Sequence, residues 1–537
     1  GAELRVYEEW DNVNDAPTAY PLHGVVITST SYSNGCNAGY TNFARSVDED
    51  TRLNPNIIHV FSAGNSGTSN CNYGAGNLWG NVTGGVKIGK NVIAVANLDT
   101  DGVVVTSSSR GPAHDGRINP EIGANGTSVY STIPGHDTGN EPQSGLIKGI
   151  LLNSANDIDN PGPDFNTGFG HLNALRAVQT LENGTYMMGN LGQGDSTSYT
   201  ITVPQDIANL KIMVYWHDYE ATPNVATALV NDIDLEVISP SQQTFLPWVL
   251  DHTPNPSNLN APATRQVDHL NNMEQVTIAD PAAGTYSINL RGFNIPQGPQ
   301  QFFVVNEMRS NTPVVTFPNG GEPLEPGELY SFRWDAEGNV GSFTIETSTD
   351  NGTTWSTLSS ALNGSLRSVN YTLPNGLETD GFKVRVSRAG LSDESDFGAH
   401  VMRIPSGLRV TAACPTTTEL EWDALATATE YDVFMLGPKY MDSVGTTTNT
   451  SFTVTNVTNS AENWFAIRAR GASGANSERT ISIMQSPGIF NCLVPNDVAA
   501  EVVTAPGQGV LANCVDGITA LPVRVLVKSY SPNALSG

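Results

Sequence analysis

Two hydrophobic patterns divide the chain. Up to Val178, short continuous apolar runs end in turns of small and polar residues. Ile57-Ile58-His59-Val60 leads into Phe61-Ser62-Ala63-Gly64-Asn65-Ser66-Gly67, the profile of a buried strand closed by a small-residue turn. His23-Gly24 is followed by Val25-Val26, which predicts a strand start. After Val178 the helical signals vanish. Short alternating strands separated by Gly, Asn and Pro take over, among them Leu210–Asp218, Leu229–Val237, Asn271–Val276, Gly284–Tyr286 and a segment at Val304. Arg333-Trp334 reads as a core strand, and Asp350-Asn351-Gly352 as a hairpin turn ahead of Trp355. Leu420-Glu421-Trp422, Tyr431-Asp432-Val433 and Trp464–Arg468 continue the alternation, and Val523–Val527 predicts a last strand. The expected fold class is multidomain: an α/β parallel-sheet domain, then all-β sandwich modules. Predicted boundaries are 1–183, 184–309, 310–404, 405–492 and 493–537.

The turn at 61–67 carries candidate chemistry. An Asn amide at the end of a buried strand can donate a hydrogen bond to the oxyanion of a tetrahedral intermediate, and small neighbours let substrate backbone come close. It lies upstream of Ser107-Ser108-Ser109-Arg110-Gly111-Pro112. With Gly1–Tyr7, Gly24–Ser33, Asn119–Gly126, Ser131-Thr132, Gly145–Gly149 and Gly168–Ala174, these blocks occur in one order, and over about residues 1–180 they resemble the subtilases, the subtilisin-like serine proteases. The resemblance implies a serine endopeptidase acting on polypeptides. It puts the oxyanion Asn on Asn65, lets substrate backbone pair with the strand through Ser31, Tyr32 and Ser33, and lines the primary pocket with Ala63 and Gly64.

The departures are equally specific. The family's catalytic Asp and His lie upstream of the block that opens this sequence. Its Gly-Thr-Ser-x-Ala-x-Pro nucleophile block belongs between Ile133–Asp137 and Gln143–Leu146, where few residues intervene. His23-Gly24 precedes a strand, whereas the family His opens a helix. Asp137-Thr138-Gly139 follows Pro134-Gly135 and no buried apolar strand, and Gly126-Thr127-Ser128 runs into Val129-Tyr130 without Ala-x-Pro. No Ser/His/Asp set assembles from these residues. Either segments of a longer molecule are omitted, with a junction expected between Thr138 and Gln143, or the catalytic half has been lost and the scaffold serves as an adhesin or binding protein. Stability favours omission. One large core side chain is worth about 2–5 kcal/mol against a total of about 5–15 kcal/mol, so a missing central helix could not be absorbed.

Composition narrows the partners. The 537 residues carry a net charge of −27 with only 15% charged residues, and the 52 Gly and 32 Pro suit β-rich modules, not an acidic disordered tail. Nucleic-acid binding is excluded for want of Lys/Arg patches, and no apolar run reaches the roughly 18–20 residues that span a bilayer. Cys36 and Cys71 each follow a strand of the parallel sheet and are expected to pair, as are Cys414 and Cys492; Cys514 is left over from the five. Paired cysteines imply an oxidising compartment, and five buried free thiols are the alternative.

Residues 184–309 resemble the jelly-roll sandwich that follows the catalytic domain in proprotein convertases and bacterial alkaline subtilases. The bacterial relatives carry calcium there, and Asn231, Asp232 and Asp234 place hard oxygen ligands close together, which suits Ca²⁺. Asp232 and Asp234 share one face of a strand. A pair of solvated carboxylates is the alternative. Residues 310–404 resemble an immunoglobulin-like sandwich and 405–492 a fibronectin type III module. Such tails resemble those of secreted Bacteroidetes-type proteases with type IX sorting, which implies a secreted or cell-surface protein with cell-surface or glycan contacts through the β-modules.

Overall fold

A computed structural model describes residues 13, 15–32, 34–99, 102–126, 142–339, 341–438, 440–488, 498–505 and 524–529. The chain forms two compact units, 1–311 and 312–537.

In the first unit, α1 (Ala16–His23) ends at Gly24, whose left-handed φ of +66° caps it, and β1 (Ile27–Thr30) begins three residues later. His23 therefore closes a helix before the predicted strand. The helix α2 (Asn42–Leu53) buries Ala44, Val47, Asp48 and Thr51, spaced i, i+3, i+4 and i+7, as one face packed on the sheet. β2 (Ile58–Ser62), β3 (Ile93–Leu98) and β4 (Ile122–Asn125) join β1 in a parallel sheet of order β1-β2-β3-β4. Ile27 lies opposite Ile58, Val60 opposite Ile93 and Val95 opposite Ile122.

The helix α3 (Ser144–Ser154) packs on this sheet, and α4 (Ala174–Glu182) follows, its N-cap Asn173 accepting a hydrogen bond from the Arg176 amide. Lys148 pins α3 to the sheet. Its buried ammonium donates to the carbonyls of Lys90 (2.9 Å) and Val92 and lies 3.3 Å from Glu121 Oε1.

Next come β5 (Tyr186–Leu191), β6 (Ser196–Val203), β7 (Ile207–Tyr215), β8 (Asp232–Ile238), β9 (Thr244–Phe245), β10 (Trp248–Val249), β11 (Thr264–Arg265), β12 (Met273–Ala279), β13 (Gly284–Asn294) and β14 (Gln300–Ser310). Sheets of order β12-β7-β14-β5 and β6-β13-β8-β9 enclose a core of Leu210, Ile212, Val214, Trp216, Ile233, Leu235, Ile288, Phe302 and Val304. The alternate residues of β7 and β14, Met213, Tyr215, Phe303 and Val305, point the other way. They share a second core with Leu146 and Ile150 of α3 and Ile58, Ile93 and Ile122 of the parallel sheet. A strand covered on both faces explains the unbroken apolar run at 212–216. Gly145 and Gly149, one turn apart on α3, admit this approach: a Cβ on Gly145 would stand 2.5 Å from the Phe303 ring. The 183/184 boundary drawn from periodicity thus falls inside one compact unit with a continuous core.

The second unit is all β. Around Phe332, Trp334, Phe343, Ile345, Val384 and Val386, sheets containing Leu329–Asp335 and Thr379–Arg388 form one sandwich core. Trp334 is buried, and Asn351 and Gly352 take the positive φ values (+57° and +85°) that the hairpin turn demands. A three-stranded sheet (Arg409–Cys414, Thr417–Glu421, Ser451–Thr455) and a four-stranded one (Ala428–Leu436, Met441–Thr447, Asn463–Gly471, Ile483–Gln485) enclose Leu420, Trp422, Tyr431, Val433, Phe465 and Ile467. Val498–Ala505 pairs with Arg524–Ser529, the predicted last strand.

Candidate active site

Asn65 follows the carboxyl end of β2, an interior strand, and its side chain is exposed. Open parallel sheets hold ligands at such strand ends. Its amide has no hydrogen-bond partner among the described residues, so it is free to donate to a ligand. The turn itself is held from two sides. Ser109 N donates to the Gly64 carbonyl (2.9 Å), Ser66 N donates to Ser109 Oγ (3.0 Å), and Gly67 N donates to the Ser107 carbonyl (3.0 Å). The two motifs thus meet, the Ser107–Arg110 segment buttressing the turn. Thr83 N donates to the Ala63 carbonyl from the other side (3.1 Å). Only glycine fits at 64: φ is +119°, and a Cβ would lie 2.3 Å from Thr83 Oγ1.

Ser31 and Tyr32 leave the carboxyl end of the adjacent strand β1, Ser31 exposed and Tyr32 half-buried against Val47, Phe61, Val86 and Val92. Ser33 lies outside the described residues, as do the triad decoys at Thr127-Ser128 and Asp137-Thr138 and most of the expected junction from Thr138 to Gln143. Cys36 and Cys71 are bonded, their Cα atoms 5.4 Å apart. Cys414 is half-buried, and its expected partner Cys492 lies outside the described residues.

The metal expectation is redrawn. Asn231 is not placed as a ligand, because its amide is spent within the protein. Its Nδ2 donates to Gln300 Oε1 (2.7 Å) and the Gln297 carbonyl, and its Oδ1 accepts from Gln297 N (3.1 Å). Its carbonyl holds the Trp216 indole at 3.0 Å. Asp232 and Asp234 do share a face, and both reach His269, whose Nδ1 is 2.7 Å from Asp232 Oδ2 and 3.7 Å from Asp234 Oδ1. One atom from each of these three residues fits within 4.8 Å, a set able to hold a metal ion. The imidazole stacks on Phe293, centroids 4.3 Å apart. Asp232 Oδ1, Asp234 Oδ1 and the nearby Glu274 Oε1 are buried oxygens without a hydrogen-bond partner. Burial pushes Asp232 up to about 6 and Glu274 well above the usual carboxylate range, where Asp268, Asp234 and Asp232 add like charge. Unpartnered buried carboxylate oxygens suit a cation. His269 was not foreseen: it lies 37 positions from Asp232, and its only local cue is the preceding Asp268.

A parallel sheet with an uncommitted amide at an interior strand end defines an α/β domain with its candidate site at the carboxyl ends of the strands. Residues 7–146 match the model of the subtilase family (Peptidase S8), and the N-terminal part of the chain is a subtilase domain. A serine protease/ABC transporter B family protein, tagA, of Dictyostelium discoideum is 26% identical over 179 residues, 31% of this chain and 10% of the relative. The chain spans about a tenth of that relative's length. Among solved structures, a Fn3-like protein from Clostridium thermocellum is similar at 22% identity and a TM-score of 0.15, over 16% of this chain and 95% of the other. A two-domain fibronectin type III segment of chicken tenascin is similar at 13% identity and a TM-score of 0.21, over 32% of this chain and 95% of the segment.

Proposed function

We propose that the protein is a secreted subtilisin-like serine endopeptidase that hydrolyses polypeptides through an acyl-enzyme. The carrying observation is the free Asn65 amide on a rigid turn at a β2 strand end inside the matched subtilase segment. In this reading Asn65 donates to the developing oxyanion. Substrate backbone pairs beside β1 through Ser31, Tyr32 and Ser33, and Ala63 and Gly64 line the primary pocket. A Ser activated by His and oriented by Asp would carry the covalent step, supplied by segments of the protein other than residues 1–537. The Cys36–Cys71 bond supports an oxidising, extracellular setting. Asp232, Asp234 and His269 would hold a structural cation, Ca²⁺ being the ion the carboxylates favour; it would neutralise a buried acidic cluster away from the chemistry.

The test is labelling with a fluorophosphonate probe followed by peptide mapping. An adduct on a Ser in a peptide absent from these 537 residues supports the endopeptidase. No adduct, in a sample whose intact mass is 57.1 kDa, overturns it in favour of a scaffold that binds without catalysis.

A further inference from the structure

Four buried lysines lie in the first unit. Lys90 and Lys148 are matched by carboxylates, Asp218 at 2.8 Å and Glu121 at 3.3 Å, and Lys211 donates to the Ala155 carbonyl at 2.6 Å. The fourth, Lys87, meets a hydroxyl. It sits in the single helical turn Val86–Ile88, is 1% exposed, and has no carboxylate within ion-pair distance among the described residues. Its carbonyl is held by Asn119 Nδ2 at 2.9 Å, so the backbone is fixed. Its ammonium donates to Thr83 Oγ1 at 3.0 Å. That hydroxyl donates in turn to the Ala63 carbonyl across a long 3.3 Å, and it presses on Gly64, where any Cβ would collide with it. The relay therefore ends at Ala63 and Gly64, the two residues assigned to the primary pocket. Burial without an anion lowers the Lys87 ammonium to about 8, which leaves it mostly charged at neutral pH.

A buried charge is normally matched by a partner. The geometry points to a partner that arrives with the substrate: we propose that Lys87, through Thr83, makes the primary pocket select an acidic side chain, Asp or Glu, in the residue before the scissile bond. This rests on the endopeptidase reading. An entering carboxylate would take the Thr83 proton away from its long bond to Ala63, and the ammonium behind the hydroxyl would supply the countercharge. Lys87 is then a specificity-determining residue and takes no part in bond cleavage.

The experiment uses the active full-length protease and two peptides identical except for Glu or Gln before the scissile bond. Wild type is expected to show kcat/KM about tenfold to a hundredfold higher for Glu, and Lys87→Met to reduce that ratio to near one. The ratio is internal to each sample, so a variant that folds only in part still reports it. Equal rates in wild type, or a preference that survives Lys87→Met, overturn the proposal while hydrolysis itself upholds the endopeptidase. If neither peptide is cleaved and the fluorophosphonate leaves no adduct, the endopeptidase reading fails. Calorimetric binding of the peptides ending in Glu or Gln then decides: tighter binding of Glu that Lys87→Met removes upholds the anion pocket, and equal binding overturns it.

Discussion

Asn65→Ala separates catalysis from folding more cleanly than any other change at the site. The side chain is exposed and its amide bonds nothing among the described residues, while the turn is held by backbone atoms of Gly64, Ser66 and Gly67 and by Ser109 Oγ. Truncation removes no internal hydrogen bond and opens no cavity, so the change in stability should stay within about 0.5 kcal/mol. The transition state would lose one preorganised donor, about 2.7–4 kcal/mol, or two to three orders of magnitude in kcat. KM should move little, because the oxyanion exists only beyond the ground state. The assay is steady-state hydrolysis of one peptide substrate by the active protease, with a denaturation curve recorded on the same samples. Gly64→Ala is the contrast. It forces a Cβ against Thr83 at a φ of +119° and should lower stability as well as rate. An Asn65→Ala variant with unaltered kcat would refute the oxyanion role, and one that unfolds would refute the claim that the turn is self-supporting.

Two further outcomes follow from buried ionisable groups. Burial lowers His59 to about 4, with Thr28 Oγ1 its partner at 2.8 Å. The unfolded chain therefore binds the extra proton below about 6.5, and His59 should cost about 3 kcal/mol of stability as pH falls from 6.5 to 4. His59→Gln should show a shallower acid limb when denaturation midpoints are compared over that range; identical limbs would contradict it. Asp164, raised to about 7 by burial, acts with opposite sign as pH falls from 7, which is why the comparison of variants is the informative quantity. Chelation should lower the thermal midpoint of the wild type, since a site filled at a hundred times its Kd adds about 2.7 kcal/mol. Asp234→Asn should make the midpoint insensitive to added Ca²⁺, whereas a chelator-insensitive wild type would remove the cation from the Asp232–Asp234–His269 cluster.

The parallel sheet and the Asn65 turn were legible because their determinants are local: an apolar run buried by its own neighbours, then a turn in which Gly64 has almost no alternative. Strand positions in the second unit were legible for the same reason, through alternation and the Asn351-Gly352 turn. What escaped is what depends on the far side of a contact. Asn231 reads as a ligand beside Asp232 and Asp234, yet one step along a strand reverses the side chain. Asn231 lies just before β8, and its amide closes on Gln297 and Gln300 instead. In the proposed cation site His269 would be the third donor, from a segment with no sequence relation to β8. The Lys148–Glu121 and Lys90–Asp218 pairs and the unmatched Lys87 read alike in one dimension, as lysines near apolar residues. Only the fold shows that two meet a carboxylate and the third a hydroxyl. The helix α3 depends on its partners in the same way. Gly145 and Gly149 look like poor helix formers, and their value appears only when Phe303 and Val305 of a strand some 150 residues later press against them. A helix that tolerates two glycines in exchange for a sheet on each side is stabilised by packing more than by propensity, and that joins the sandwich to the parallel-sheet domain through one continuous core.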